Sequence, residues 1–491
     1  MNQFQLKRAK VPATNVAAWR HFSDRIRRIV DRSLNPAMLI VLVGFASVAT
    51  YGLFVQDMYL CLEAIFLGFI PFILWSAYRR VGFLDFFAPD VGFPIVYIAF
   101  LFVGSIPFPI ETQFGLVLPW IVWLYYIIGL IAYLAGVSLL RSTRIKGAAQ
   151  AKLKHFWISD RFLSGSLIVL AIGSLARAIE IAAAGLEIFH ANNESARIVG
   201  ARGLLGVLTL SLEAAFLCLL LYLLVRKPKG ILRAFIVASL VLIMLNAVAT
   251  TDRTGLLRIG IAGIVIVHYT KWRFKVVGIL AVAICAVVFV SVLGTFRDIS
   301  DWGQARINSL EKQGFTDRTY WLMSGYDVVR LPTETFYMTI QEVPVITPYS
   351  YGATSLASLT EILPGHRPGP SEIVKDKLRL EFVGFGAAAT ILAPLWFDGG
   401  VLGIVIGMFL FGLISRLLHR RMLLSNNYVW LLLYGWFVQN AFKAIKDDIL
   451  PDLGVPLVMV LFVVICFVTH RPSEGMAVTR PDRRLRGEGA A

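Results

Sequence analysis

Apolar runs of about twenty residues recur along the chain between residues 36 and 470, and short polar segments separate them. A helix needs about 20 mostly apolar residues to cross the hydrocarbon core of a bilayer. The pattern therefore predicts membrane-spanning helices. We predict twelve of them, at Pro36–Val55, Tyr59–Ala77, Asp90–Phe108, Phe114–Leu140, Phe162–Ala183, Gly203–Val225, Leu232–Ala249, Thr254–Tyr269, Val276–Thr295, Gly400–Leu417, Tyr428–Phe442 and Leu453–His470.

The composition supports this interpretation. Of the 491 residues, 57% are hydrophobic and 16% are charged, with a mean hydropathy of +0.71. Soluble domains are about half apolar and about a quarter charged, so this chain carries an apolar surplus that lipid must cover. The first apolar run begins after about 35 residues and is long enough to span, and we therefore expect no cleaved signal peptide.

The basic residues predict an orientation. With the N-terminus inside, the segments 1–35, 78–88, 141–162, 226–233, 271–275, 416–426 and 471–491 are internal, and they hold 31 of the 47 Lys and Arg but 7 acidic residues. Cytoplasmic loops carry such an excess of positive charge. We predict a multi-pass protein of the bacterial inner membrane with both termini in the cytoplasm. The net charge of +16 then matches anionic lipid and argues against a nucleic-acid partner.

The same pattern divides the chain into five parts. Residues 1–35 are a basic cytoplasmic N-terminus, 36–295 carry spans one to nine, 296–399 form a large late periplasmic loop, 400–470 carry spans ten to twelve, and 471–491 are a basic cytoplasmic tail. The loop holds 9 basic and 12 acidic residues and several Trp and Tyr. Aromatic residues are scarce in linkers, so we expect a small folded cap. Its apolar end, residues 382–400, predicts an interfacial or re-entrant helix.

Ionisable residues at membrane depth are functional candidates because they are costly there. Arg177 and Glu180 are three residues apart near the outer end of the fifth span, a spacing that places them on one helix face where they can pair. A purely structural ion pair is the alternative. Glu63 and Glu213 lie inside the second and sixth spans, where interhelical hydrogen bonds are the simpler explanation.

The predicted outer ends of spans five to nine are rich in arginine. Arg197 and Arg202 lie in the loop after the fifth span, Arg253 and Arg258 lie around the turn before the eighth, and Arg297 opens the large loop. Guanidinium groups bind phosphate through two parallel hydrogen bonds and stay charged. These positions fit capture of a lipid-linked pyrophosphate, although arginines at a membrane surface also bind ordinary lipid phosphates.

The large loop offers two candidate general bases, His366 and Glu381. A solvated loop histidine is the simpler interpretation of His366. The sequence has no metal-site spacing such as HExxH and no Cys/His cluster, so we expect no metal. It also has no Walker A or dinucleotide fingerprint, so we expect no cofactor.

Taken together, the sequence resembles the bacterial O-antigen polymerases of the Wzy type, from the second span onward. Three segments carry the resemblance: Glu194-Ser-Ala-Arg197 running into Gly203-Leu-Leu-Gly206, the turn Thr251-Asp-Arg-Thr-Gly255, and the end of the large loop from Trp396 to Gly403, followed by Gly407 to Gly412. Some members carry an Arg-x10-Gly pattern in both outer loops, and no outer arginine here has glycine at that spacing. The related ligases carry a His-Asn/Ser/Gln pattern, whereas Arg367 follows His366 and Ala191 follows His190. The absence of the ligase pattern at His366 and His190 favours a polymerase over a ligase.

The resemblance implies an all-α polytopic membrane protein with a GT-C-like fold. It also implies transfer of a growing glycan from undecaprenyl pyrophosphate to a new lipid-linked repeat unit, without metal or cofactor. On that basis Arg197, Arg202 and Arg253 bind the pyrophosphate, with Arg258 and Arg297 behind them. Glu381, Glu180 or His366 is the base, and Trp321, Tyr351 and Arg367 contact sugar. Expected partners are undecaprenyl-pyrophosphate-linked oligosaccharide, membrane lipids and a chain-length regulator protein. An O-antigen-type ligase and a lipid-linked glycan flippase or secondary transporter remain the alternatives.

Overall fold

The computed structural model describes residues 40–81, 84–106, 118–140, 160–184, 208–249, 253–274, 320–360, 370–379, 389–425 and 427–446, with residues 38, 158 and 311 and scattered residues between 278 and 292. Within these ranges the regular structure is entirely helical. The helices are α1 Ile40–Phe54, α2 Met58–Val81, α3 Gly92–Ser105, α4 Trp120–Leu139, α5 Asp160–Ala184, α6 Ser211–Arg226, α7 Gly230–Ala249, α8 Arg253–Thr270, α9 Tyr320–Glu342, α10 Ala353–Thr360, α11 Pro370–Lys377, α12 Leu392–Leu424 and α13 Tyr428–Lys446.

The predicted all-α membrane character is confirmed for the described residues. Five helices there are long and apolar enough to cross a membrane: α2, α4, α5, α7 and α12. α1, α3 and the part of α8 from Leu256 onward are shorter apolar helices. The count of twelve spans and the GT-C-like architecture stay predictions, and the twelfth predicted span, Leu453–His470, lies outside the described residues.

The described residues contain two large hydrophobic clusters. One joins α5, α6, α8 and α13, and the other joins α2, α3, α4, α9 and α12. α4 and α12 pack closely because glycines face the opposite backbone: a Cβ atom on Gly136 would lie 2.0 Å from the Phe409 carbonyl oxygen, and one on Gly412 would lie 2.2 Å from that of Tyr133. Small residues allow such close approach between membrane helices.

Contacts between helix ends define two ends of the bundle. At one end, Tyr269 at the end of α8 donates a hydrogen bond to Asp85 between α2 and α3, and it also contacts His419 near the end of α12. At the other end, Tyr59 at the start of α2 bonds the carbonyl of Leu118 just before α4. The topology prediction assigns the first end to the cytoplasm. We therefore call these the inner end and the outer end.

The large predicted loop contains three helices rather than irregular structure alone. α9 packs against α3, α12 and α13, and α10 and α11 pack against α12. Side chains on α9 such as Thr335, Phe336 and Thr339 are fully buried. In the described residues, α9 thus packs into the helical bundle, and the assignment of residues 296–399 to a folded periplasmic cap stays a prediction.

The predicted start of the tenth span coincides with a kink. α12 extends from Leu392 to Leu424, beyond both predicted limits, Gly400 and Leu417. Its backbone is non-helical at Gly399 (φ −174°, ψ 26°) and Gly400 (φ 59°, ψ −135°). The residues before the kink are buried, with Trp396 and Phe397 at most 6% exposed. The apolar segment before Gly400 therefore forms a short buried helical turn, which the kink joins to the long part of α12.

Candidate functional site

An ion pair lies near the outer end of α5, where the sequence predicted it. Arg177 donates a hydrogen bond from its Nη1 to the Oε2 of Glu180 at 2.5 Å, and Glu180 is 3% exposed. The spacing of three residues places both groups on one helix face. The guanidinium engages one carboxylate oxygen, Oε2, and the pair holds Glu180 in place near the outer end of α5.

A second ion pair joins two helices. Arg258 on α8 and Glu213 on α6 approach to 2.7 Å between Nη2 and Oε1, and both are 7% exposed. The surroundings are apolar, because the neighbouring residues Leu212 and Ile259 pack in one cluster with Ile243 of α7. An arginine facing lipid would be costly, and Arg258 avoids that cost because it pairs with the Glu213 carboxylate of another helix. This pair also accounts for Glu213.

A third ion pair lies on α9, and the sequence analysis missed it. Arg330 Nε donates to Glu334 Oε1 at 2.9 Å, and its Nη1 donates to the Gly104 carbonyl at 3.0 Å. Thr333 donates to the same carbonyl at 2.9 Å. The exposed side-chain fractions of Arg330 and Glu334 are 4% and 1%. The i,i+4 spacing is a usable signal, but it applies only once residues 320–342 are known to be a helix.

All three pairs lie toward the outer end of the bundle. Gly104 is one residue from the end of α3, Glu180 is in the last turns of α5, and Glu213 and Arg258 are in the first turns of their helices. Guanidinium groups with carboxylate partners are thus supplied by three helices there, α5, α8 and α9, and α6 supplies the Glu213 carboxylate. Such a set can present permanent positive charge to an anion that reaches this end.

The kink in α12 holds the loop helices in place. Both carboxylate oxygens of Asp398 accept backbone hydrogen bonds at the start of α10, from Thr354 and Ser355 at 2.9 Å each. On α11, Lys377 donates to Ser350 Oγ at 2.8 Å and lies over the Phe397 ring. Partial burial lowers the pKa of the Lys377 ammonium, while the nearby Asp398 carboxylate acts in the opposite direction. Asp398 therefore helps to position the loop.

Several predicted site residues lie outside the described part of the chain. They are Arg197, Arg202, Arg297, His366, Arg367 and Glu381. Arg253 begins α8 and Trp321 lies in α9, but the structure describes neither side chain. Tyr351 is 87% exposed, in the turn before α10. Of the predicted site residues, the structure thus places the side chains of Tyr351, Glu180 and Arg258. Glu180 lies on α5 and Arg258 on α8, and both helices contact α6.

The inner end carries a different cluster of polar side chains. Asp85 accepts a hydrogen bond from Tyr269 at 2.9 Å, and one of its oxygens lies 3.4 Å from His268 Nε2. The Tyr269 hydroxyl also lies 3.3 Å from His419 Nε2. Burial alone would raise the pKa of the Asp85 carboxyl, but the hydrogen bonds and positive charge of its neighbours, His268 first, lower it on balance. The described residues contain no group of three or more His, Cys, Asp and Glu arranged to hold a metal.

The apolar helices define a multi-pass membrane protein whose buried ion pairs gather at one end. A family model described as "Putative O-antigen polymerase" matches residues 85–445. That range covers most of the 491 residues, and the chain belongs to this family. Together with the membrane-type helices, this membership indicates a role in polysaccharide synthesis at a membrane. No curated protein and no solved structure matches the chain.

Proposed function

We propose that the protein is a metal-independent glycosyltransferase of the bacterial inner membrane that polymerises lipid-linked oligosaccharide repeat units at the periplasmic face. The donor is a growing glycan on undecaprenyl pyrophosphate, and the acceptor is a new lipid-linked repeat unit. The family match over residues 85–445 carries this proposal. The product is O-antigen, capsule or exopolysaccharide.

The reaction exchanges one bond at the anomeric carbon. A hydroxyl oxygen of the acceptor's non-reducing sugar attacks the anomeric carbon of the donor and forms the new glycosidic bond. The bond from that carbon to the pyrophosphate oxygen breaks, and the lipid pyrophosphate leaves with the electron pair. The hydroxyl proton passes to a base. Catalysis therefore requires positive charge at the leaving pyrophosphate and a base near the acceptor.

The outer-end arginines fit the first requirement. Arg258 pairs with Glu213 at 2.7 Å and is 7% exposed, and a charge in such a buried position interacts more strongly than in water. Arg253 begins the same helix, five residues earlier, and Arg197 and Arg202 belong to the segment between α5 and α6, which the topology prediction also assigns to the outer side. We assign these arginines to the pyrophosphate, with Arg297 from the start of the large loop. Glu381, Glu180 and His366 are the base candidates, in that order.

The test is elongation by the purified protein in vesicles. Proteoliposomes receive a defined lipid-linked repeat unit in metal-free buffer with chelator, and the glycans are released and sized on a gel. A polymerase gives a ladder that extends with time, while empty vesicles leave the single unit unchanged. A product that forms only when a different acceptor, such as a lipid A core, is added would favour a ligase. Movement of the lipid-linked unit across the vesicle wall without any ladder would overturn the proposal in favour of a flippase.

A further inference from the structure

Four large apolar side chains in the loop are strongly exposed. Their exposed fractions are 80% for Val345, 64% for Ile346, 87% for Tyr351 and 54% for Leu356. Among residues 320–379 whose side chains the structure describes, these four, all between residues 345 and 356, are the large hydrophobic residues that are exposed. Soluble surfaces seldom concentrate apolar side chains in this way, and such patches mark contact with protein, ligand or membrane. We call these four residues the seating patch.

The seating patch is fixed to the short helical turn of α12 that precedes the kink at Gly399 and Gly400. The backbone N–H of Ser350 donates to the Phe397 carbonyl at 2.7 Å, and that of Tyr351 donates to the Asp398 carbonyl at 3.1 Å. At the other end of the segment, Trp396 Nε1 donates to the Val343 carbonyl at 3.0 Å. The height of the patch along the bundle axis is therefore set by residues 396–398.

The length of α12 places that height at a membrane boundary. From Gly400 to Arg420 the helix rises by about 30 Å at 1.5 Å per residue, which is about the thickness of the hydrocarbon core. Arg420 and Arg421 then lie at the inner boundary and Gly400 at the outer one. Just inside Gly400, Leu402 is 70% exposed and Ile406 is 58% exposed, as expected of side chains that face lipid. Residues 396–398, which hold the seating patch, precede Gly400 and therefore lie at the level of the headgroups.

The chemistry of the patch suits the interface between lipid and water. Tyrosine is enriched at this level because its ring is apolar and its hydroxyl can stay hydrated. Tyr351 holds that exposed position with a backbone φ of +50°, a conformation that a bulky residue rarely adopts. The backbone bond to Asp398 holds it there. Beyond the patch, Arg379 is exposed in the same loop and can meet lipid phosphates.

We infer that the seating patch inserts into the outer boundary of the bilayer, so that α10 and α11 rest on the lipid headgroups. The partner of this surface is phospholipid, and not sugar or a second protein. The inference stands apart from the proposed reaction. One consequence does rest on that reaction: the loop helices are held at the depth where the pyrophosphate of a lipid-linked substrate lies.

Fluorescent labels at single cysteines test the insertion. Cys285 and Cys466 are replaced by Ser, while the buried Cys61 and Cys218 stay. Ile346→Cys, Tyr351→Cys and, as matched exposed control on α11, Asp376→Cys are labelled with a polarity-sensitive dye and reconstituted in phosphatidylethanolamine and phosphatidylglycerol. Insertion predicts blue-shifted emission at 346 and 351, strong quenching by a shallow nitroxide lipid and weak quenching by iodide. At position 376 we expect the opposite, namely weak quenching by the nitroxide lipid and strong quenching by iodide.

Either of two results would overturn the inference. Iodide access at 346 and 351 equal to that at 376 would mean that the patch faces water and is free to meet sugar. Protection from both quenchers would mean that protein covers it. The unsubstituted protein gives a second measurement, in vesicles that carry a lipid with a photoreactive group near the headgroup. Peptides containing residues 345–356 should carry the lipid adduct, and their absence among adducts would likewise contradict insertion, whatever the result of the elongation assay.

Discussion

The two ends of the bundle bury polar groups in different ways. At the outer end, three carboxylates pair with guanidinium groups, in Arg177–Glu180, Arg258–Glu213 and Arg330–Glu334. At the inner end, Asp85 is met by a phenol and an imidazole. A guanidinium stays charged at any accessible pH, whereas an imidazole can be neutral or charged near physiological pH. The outer end therefore keeps three guanidinium charges, each opposed by one carboxylate, whereas the charge of the inner end depends on the protonation of its imidazoles.

The polar groups buried at the two ends therefore have different roles. Buried ion pairs cost desolvation and are often no more stabilising than apolar contacts of the same size. Retaining three of them at one end is accounted for if that end must meet a pyrophosphate. At the inner end, Asp85, Tyr269 and His419 join the loop after α2 to the ends of α8 and α12. Holding these helix ends together is enough to explain their contacts.

We expect the largest effect from breaking the most buried pair. Arg330→Met should lower the free energy of unfolding by about 3–5 kcal/mol, because it leaves the Glu334 carboxylate without its partner in an apolar site. Thermal unfolding of the detergent-solubilised protein measures it. Arg161→Met, at an exposed position on α5, is the matched control and should have little effect. Adding Glu334→Gln to Arg330→Met should restore much of the loss; a double variant as unstable as the single one would contradict this account.

The next effect concerns activity. Arg258→Lys keeps the positive charge but removes the paired donors. We expect elongation to slow by roughly 10- to 100-fold, the equivalent of about 1.5–3 kcal/mol for lost hydrogen bonds to a charged group. The ladder assay below the unfolding temperature measures it, with Arg161→Lys at the predicted inner end of α5 as control. Wild-type elongation by Arg258→Lys would remove Arg258 from the pyrophosphate site and leave it a structural partner of Glu213.

A smaller effect should follow from a methyl group at the kink of α12. Gly400→Ala puts a side chain at φ +59° and its Cβ 2.7 Å from the Tyr349 hydroxyl. This combination of positive φ with ψ −135° is sparsely populated by residues other than glycine and costs about 1–3 kcal/mol, and the contact adds to it. Gly399→Ala is a close control, because its φ is −174° and a Cβ there meets nothing within 4 Å. Equal unfolding temperatures for the two variants would show that the kink does not need glycine at 400.

The sequence predicted well what depends on local pattern. Hydropathy located the apolar helices, and the three-residue spacing of Arg177 and Glu180 predicted their pairing. It did not predict that α9 is a buried helix. That segment contains Pro332 and the polar run Thr333-Glu334-Thr335, both poor helix signals. In the fold, Thr333 and Thr335 donate hydrogen bonds back to carbonyls of their own helix, and packing against α3 and α12 overrides the local preference.

The remaining misses are long-range contacts. Asp85 and Tyr269 are 184 residues apart in the chain, and Arg330 and Gly104 are 226 apart. No periodicity within one helix carries information about such pairs. The sequence showed that the charge of Arg258 would be costly in lipid. It did not show that its partner is Glu213, because that contact depends on how α6 packs against α8. The candidate site was thus predictable by residue type and depth, and its pairing was not.

The smallest effect should come from the inner end. Asp85→Asn keeps one acceptor oxygen but loses the carboxylate that meets Tyr269 and His268, and we expect a loss of about 1 kcal/mol of stability at pH 7. The folded-state pKa of Asp85 lies below the ordinary 3.8. Its contribution is therefore complete above that value and is lost as the pH falls through the lowered pKa. Thermal unfolding measured from pH 7 down to pH 3 should show the variant and the wild type converging in acid, with Asp376→Asn, an exposed carboxylate, unchanged throughout. A difference between Asp85→Asn and wild type that persists undiminished in acid would mean that the cluster acts through shape, and the contrast between the charged outer end and the titratable inner end would lose its basis.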